Sequence, residues 1–310
     1  LFISWEPRRV TLPERDFTFF SYERLLDAIT KVNTGVNQIS TYCSDTKGVM
    51  IRHDVDRRPQ KALIMGKIEA TRGIGATYYF RDVPESFSPS IMDELTSMGH
   101  EMGFHYESLS LAAKELGFSR TVLKTIDRQL RPHLMMRLSH LDDPGEKDIL
   151  SAFDDATKKS VLKLFNYAIK LFDASLKKFT SSWEVRSAVM HGRPEVPIDN
   201  RLLWLLFDYR EHGVNLEPYF DIDYTKFVYI TDAGRAWGDT NANQRDKVQG
   251  IKAEIRSIED IIDLLGSGDQ SLVLNIHPEH WTNDPLEWQK IKYVRTMKNH
   301  VKKILLSNKG

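Results

Sequence analysis

Four times along this chain a short apolar run breaks off into histidine, in three of them with a carboxylate beside it. Gly48 to Ile51 leads into Arg52, His53, Asp54, Val55 and Asp56, and Glu101 to Phe104 into His105, Tyr106 and Glu107. Ser187 to Met190 leads into His191, and Ser271 to Ile276 into His277, Pro278, Glu279 and His280. Each run has the length and β-branched or aromatic content of a buried strand. Ionisable groups cost several kcal/mol to bury unpaired, so each break marks either a reactive site or a salt-bridged strand end. Helix-like segments separate the runs, which argues for an α/β architecture with parallel strands. In such sheets ligands bind at the C-terminal strand edge, where these polar groups fall.

The connecting segments carry their own signals. Residues 21–32 open on a Ser cap and hold apolar residues at helical spacing; residues 59–72 begin with Pro59 and stop before Gly73; residues 88–100 close on Gly99. Residues 75–81 read as a strand. From about 110 to 184 the pattern is helical and charged, with amphipathic runs at 119–130 and 154–179 and a polar turn at 141–148. Strand character resumes at Ser187, so this stretch reads as a helical insertion within a single domain spanning 1–310. Residues 218–232 read as a β-hairpin or a pair of short strands, and helix, strand and helix complete the chain.

Composition removes several function classes. With 41% hydrophobic residues in 310 the chain can bury a sizeable core. Lys plus Arg equals Asp plus Glu at 43 each, so no global field attracts nucleic acid. Cys43, the single cysteine, excludes an internal disulfide and any Cys-rich zinc site, and fits a reducing compartment. No apolar run approaches the ~18 residues of a membrane span, and no signal-peptide pattern opens the sequence, which begins with Leu1. A soluble, cytoplasmic protein is the expectation.

His with Asp or Glu, without Cys, is a suitable ligand set for Zn²⁺ or another divalent first-row metal. One strand-end His is commonly structural, but four such ends in one chain favour a hydrolytic site that is metal-assisted or works by acid-base chemistry. The order of strand and His53-Asp54-Val55-Asp56, helix, GIGATYYF, helix, GHEMGFHYESL, and a late strand with NIHPEHW resembles the polysaccharide deacetylases of the NodB-homology type, carbohydrate esterase family four. It is similar more narrowly to a bacterial branch of that superfamily in which segments like MHG, DNRLLW, EPYFDID and TDAGRAW also occur.

The resemblance covers about residues 17–285. It implies a distorted (β/α) barrel of about seven strands and one divalent metal ion, Zn²⁺ by preference, held by an Asp and two His. It also implies a catalytic-base Asp and a general-acid His. Position by position, Asp54 matches the base, Asp56 the ligand carboxylate, His105 the first ligand His and His277 the acid. Val55 separates two carboxylates that are adjacent in the family, which leaves an exchange of their roles open. Leu109 stands where the family has its second ligand His, so Glu107 or His191 would complete the metal set. Arg52, Arg57 or Arg193 would orient the base or grip an acidic sugar, and Tyr106, Trp237 and Trp281, with Trp204 and Tyr219, would stack on sugar. The implied activity is removal of acetyl groups from an N- or O-acetylated carbohydrate in bacterial surface-polysaccharide metabolism. A related C–N amide hydrolase with an altered or absent metal site, or a non-catalytic carbohydrate-binding barrel, are the alternatives.

Overall fold

The strand that begins at Val49 lies in the middle of a sheet, buried along its whole length. The computed structural model describes residues 15–32, 35–139, 149–151, 153–193, 195–237, 248–268 and 270–307. Within them are β1 (Val36–Asn37), β2 (Val49–Val55), β3 (Thr77–Phe80), β4 (Glu101–Tyr106), β5 (Val185–Met190), β6 (Phe227–Thr231) and β7 (Ser271–Ile276). They form one seven-stranded sheet in the order β5-β4-β3-β2-β7-β6, with β1 beside the first residues of β2. Every strand pairing is parallel, so all the C-terminal ends share one edge, as the strand-end pattern requires. The edge strands are prolonged by single bridges, Ser187 to Leu216 and Val228 to Ile251. Among the described residues no pairing joins β5 to β6.

Helices cover the sheet where the spacing predicts them: α1 (Phe19–Lys31), α2 (Pro59–Ala70), α3 (Pro89–Ser97), α4 (Ser108–Glu115), α5 (Arg120–Leu138), α6 (Asp155–Thr180), α7 (Ile258–Gly266) and α8 (Pro285–Ser307). Thr18 with Ser21, and Ser257 with Asp260, form reciprocal capping boxes at α1 and α7. Among the described residues no helix is long and apolar enough to cross a membrane. The helical insertion is α4, α5 and α6. Phe172 and Phe179 of α6 lie 5.3 and 5.1 Å from the ring of Phe104 on β4, so α6 is bound to the sheet through aromatic burial. The turn read at 141–148 lies outside the described residues. The hairpin expected at 218–232 does not form. Glu217 caps a single helical turn at Pro218–Asp221, Asp223 caps a 3-10 turn at Tyr224–Lys226, and only Phe227–Thr231 is strand. Acceptor side chains before each turn hold the chain in local hydrogen bonds where a first hairpin strand was expected.

Alternation along the strands gives the sheet two different polar faces. On the helix side, His53 Nε2 lies 2.6 Å from Glu69 Oε1 of α2. Tyr22 donates to the same oxygen and Tyr78 to Oε2 at 2.7 Å. On the opposite side, Thr77 and Ser187 donate to the two oxygens of Glu101 at 2.6 and 3.1 Å, and Tyr79 donates to Ser187 at 2.9 Å. Tyr79 reaches that far because it crosses Gly103, where an added Cβ would lie 2.4 Å from its ring.

Candidate active site

Three strand ends converge on one point. Asp56 follows β2, His105 is the penultimate residue of β4 and His191 follows β5; each offers one ligand atom within 4.8 Å of the others. Asp56 Oδ1 lies 3.4 Å from His105 Nε2 and 3.3 Å from His191 Nε2. The tautomers follow from the far side of each ring. His105 Nδ1 faces the Val189 carbonyl at 3.0 Å, which can only accept, so Nδ1 carries the proton. His191 Nδ1 faces Glu107 Oε2 at 2.8 Å. Burial opposes the charge on Glu107, but bonds from His191 and Arg81 outweigh it and hold its carboxyl down at about 2, so Nδ1 of His191 donates as well. With both Nδ1 atoms protonated, each Nε2 of the neutral rings presents a lone pair. Asp56 Oδ1 is buried and accepts no hydrogen bond.

Two imidazole lone pairs and a carboxylate oxygen, pointing at one another, repel unless a metal cation or a proton on one of the rings lies between them. The donor set therefore fits a divalent metal ion, and three protein ligands leave a position open. As neighbours without a cation, burial disfavours charge on His191, yet Asp56 and Glu107 on either side raise its pKa to about 9. Burial also opposes the Asp56 carboxylate, and His191 and His105 together pull its pKa well below the usual range.

Two further groups flank the cluster. Asp54 Oδ2 accepts from the buried Arg52 guanidinium at 2.9 Å, while its Oδ1 is buried without a partner. Burial would raise the Asp54 pKa, but Arg52, and after it His105 and His277, lower it, so Asp54 is ionised. His277, on the residue after β7, is held by Asp232. Asp232 Oδ1 accepts from His277 Nδ1 at 2.7 Å and from the His277 backbone N–H at 2.9 Å, and Oδ2 accepts the Trp281 indole N–H at 2.8 Å. Burial works against an imidazolium here, yet Asp232, then Asp56 and Asp54, raise the His277 pKa to about 10. Asp232, His277 and His280 also lie within ligand distance of one another. Asp232 Oδ1 already takes two N–H donors from His277 and Oδ2 one from Trp281, so Asp232 and His277 form a hydrogen-bonded pair beside His280, whose two ring nitrogens are buried without a hydrogen-bond partner among the described residues.

The structure places Asp54, Asp56, His105, His191 and His277 together and changes several other assignments. Glu107 is excluded as a direct ligand, because Arg81 at 2.8 Å, Arg193 at 2.5 Å and His191 take its oxygens; it orients His191 instead. Arg193 is thereby committed to Glu107 at the rim. Arg52 is wholly buried, bonded to Asp54 and to Tyr219 at 3.2 Å, and meets no substrate. Tyr106 is wholly buried and donates to Glu217 while accepting from Trp204. Trp281 is wholly buried, and Trp237 stacks on Phe17 at 5.2 Å and donates to Asp16. None of the three aromatic rings presents a face for sugar stacking. His53 points to the helix side, as strand alternation predicts.

Asp232 and Arg81 escaped the sequence reading, though the signal existed. FVYITD is another apolar run ending in carboxylate, obscured by the hairpin reading, and in TYYFR the residue just after β3 is the arginine that bonds Glu107 and the Asp56 carbonyl. Comparison with family models, with curated proteins and with solved structures returned no match. The functional reading rests on the geometry.

Proposed function

We propose that this protein is a metal-dependent hydrolase that removes acetyl groups from an N- or O-acetylated carbohydrate, as the polysaccharide deacetylases it resembles do, in bacterial surface-polysaccharide metabolism. The observation that carries the reading is the convergence of Asp56, His105 and His191 between an ionised, half-partnered Asp54 and a protonated His277. In this reading the sheet curls toward a (β/α) barrel, with the segments at Leu216 and Ile251 lying in the gap between β5 and β6. Asp56, His105 and His191 would hold one Zn²⁺.

When bound, such an ion polarises the acetyl carbonyl and lowers the pKa of water. The chain supplies the rest. Asp54, fixed by Arg52 through one oxygen, has the other free to take the proton of an attacking water. Water oxygen adds to the carbonyl carbon, the C–N or C–O bond breaks, and His277 delivers its Nε2 proton to the departing amine or alcohol. Acetate and the free sugar group leave. Asp232 keeps His277 oriented and charged for that transfer.

The test is acetate release from acetylated oligosaccharides, run beside metal analysis. The protein is expected to hold one equivalent of Zn²⁺ and to release acetate. Asp54→Asn should lower kcat on the order of 100-fold or more with the metal retained. A protein that binds no stoichiometric metal and frees no acetate from amide or ester substrates would overturn the reading, and metal loss in Asp54→Asn would exchange the roles of the two aspartates.

A further inference from the structure

Just beyond the adjacent ends of β2 and β7 the chain gathers cations. Arg57 follows Asp56, and its Nε lies 3.7 Å from Oε1 of Glu279, two residues beyond His277. Arg295 of α8 reaches the same oxygen at 2.9 Å. Lys298, three residues further along α8, feels both arginines: partial burial, Arg57 and Arg295 all lower its pKa. Arg235 lies close enough to Arg295 that burial and this repulsion bring its pKa to about 10, and its buried Nη2 has no hydrogen-bond partner among the described residues.

Four cations thus share Glu279 and an Asp232 already taken by His277 and Trp281. Here the side chain of Arg57 stays 47% exposed, one residue from the metal cluster, with its single carboxylate shared with a second arginine that lies closer. Arg57 also lines a surface groove of about 420 Å³ together with Gln60, Phe87, Ser88, Arg58, which is paired with Glu287, and one carboxylate, Glu85. Cations left in excess beside a reactive centre raise the local concentration of anionic ligands and orient them.

We propose that the substrate is an acidic glycan, with a sugar carboxylate received by Arg57 in the field of Arg295 and Lys298, while the acetyl group lies at the Asp56, His105 and His191 cluster. This deepens the deacetylase reading and rests on it.

The test uses binding, so that it stands apart from turnover. An unacetylated oligogalacturonide and a neutral oligogalactan of the same length are titrated into the zinc-loaded protein by calorimetry. The acidic oligomer is expected to bind about tenfold tighter or more at low salt, and the gap should close as salt approaches 0.5 M and screening shortens to a few ångström. Arg57→Gln and Lys298→Gln, both at exposed side chains, should each weaken the acidic oligomer about three- to tenfold, and Glu279→Gln, which removes the competing carboxylate, should tighten it. Equal affinity for the two oligomers, or an acidic preference untouched by all three substitutions, overturns the proposal. Acetate release measured separately decides the hydrolase reading, whichever way binding falls.

Discussion

Asp232→Asn isolates the group that keeps His277 charged. A pKa raised to about 10 from the ordinary 6.5 corresponds to roughly 5 kcal/mol in favour of the imidazolium. Asp232 supplies the first-ranking part, through a 2.7 Å hydrogen bond and its charge, and the more distant Asp56 and Asp54 supply the remainder. Asparagine can still accept from Nδ1, so the ring keeps its place while the neighbouring charge goes. With the burial of His277 then less opposed, its titration should fall by roughly two pH units or more. The assay is NMR of the ¹³C-labelled histidine ring protons in metal-free protein between pH 5 and 10.5, with the His277 signal assigned from His277→Gln. The sign is fixed: a His whose folded pKa is raised favours the native state below its unfolded value and loses that contribution as pH climbs toward the folded one. Asp232→Asn should therefore also flatten the loss of stability between about pH 6.5 and 10, and move the alkaline limb of any pH-rate profile downward by the same interval. A wild-type His277 titrating near 6.5, or one midpoint shared by both proteins, refutes the reasoning.

Glu107→Gln keeps an acceptor for His191 but sets an amide against Arg81 and Arg193, so zinc affinity should drop about 10- to 100-fold; chelator competition giving the wild-type constant would remove Glu107 from the supporting shell. Glu69→Ala strips the common acceptor from Tyr22, Tyr78 and His53, and urea unfolding should record a loss of about 3–5 kcal/mol; a loss under 1 kcal/mol would mean the cluster contributes little. Burial raises the Glu217 pKa to about 8 despite Arg201 and the Tyr219 N–H, so the folded chain holds that proton more tightly than the unfolded one. This group's contribution is full at acid pH and is lost as pH rises from about 4.5 to about 8. In Glu217→Gln the urea midpoint should fall less over that interval than in the wild type, and parallel curves would disprove the shift.

Much of the centre was legible because burying charge is costly and strands alternate. Asp54, Asp56, His105, His191 and His277 each stand where an apolar run meets the sheet edge, and the parallel order followed from helices between strands. Three kinds of information were not local. Whether Glu107 or His191 faces Asp56 and His105 depends on β5 lying next to β4, a tertiary fact that turns Glu107 toward two arginines. The fate of Tyr106, Trp237 and Trp281 depends on the layers above them, since an aromatic residue near a strand end looks the same whether it faces solvent or Trp204. Asp232 was hidden because Glu217 and Asp223 build turns from side-chain acceptors, and such turns interrupt the alternation on which a strand reading depends.

Strand β2 carries Arg52 and Asp54 toward the reactive edge and His53 toward Glu69. A shift of β2 by one residue against β3 and β7 would reverse all three at once, leaving a guanidinium and a carboxylate under the helices and an imidazole facing the arginine's former place. His53 would lose Glu69 and Arg52 would lose Tyr219, while Arg52 and Asp54, still paired with each other, would be carried to the face opposite the one they occupy, so the wrong pairing is penalised at more than one group in a single step. The charge pattern of this strand thus acts as a register key: during folding, the same buried polar residues that shape the strand end also define which alignment of β2 its neighbours can accept.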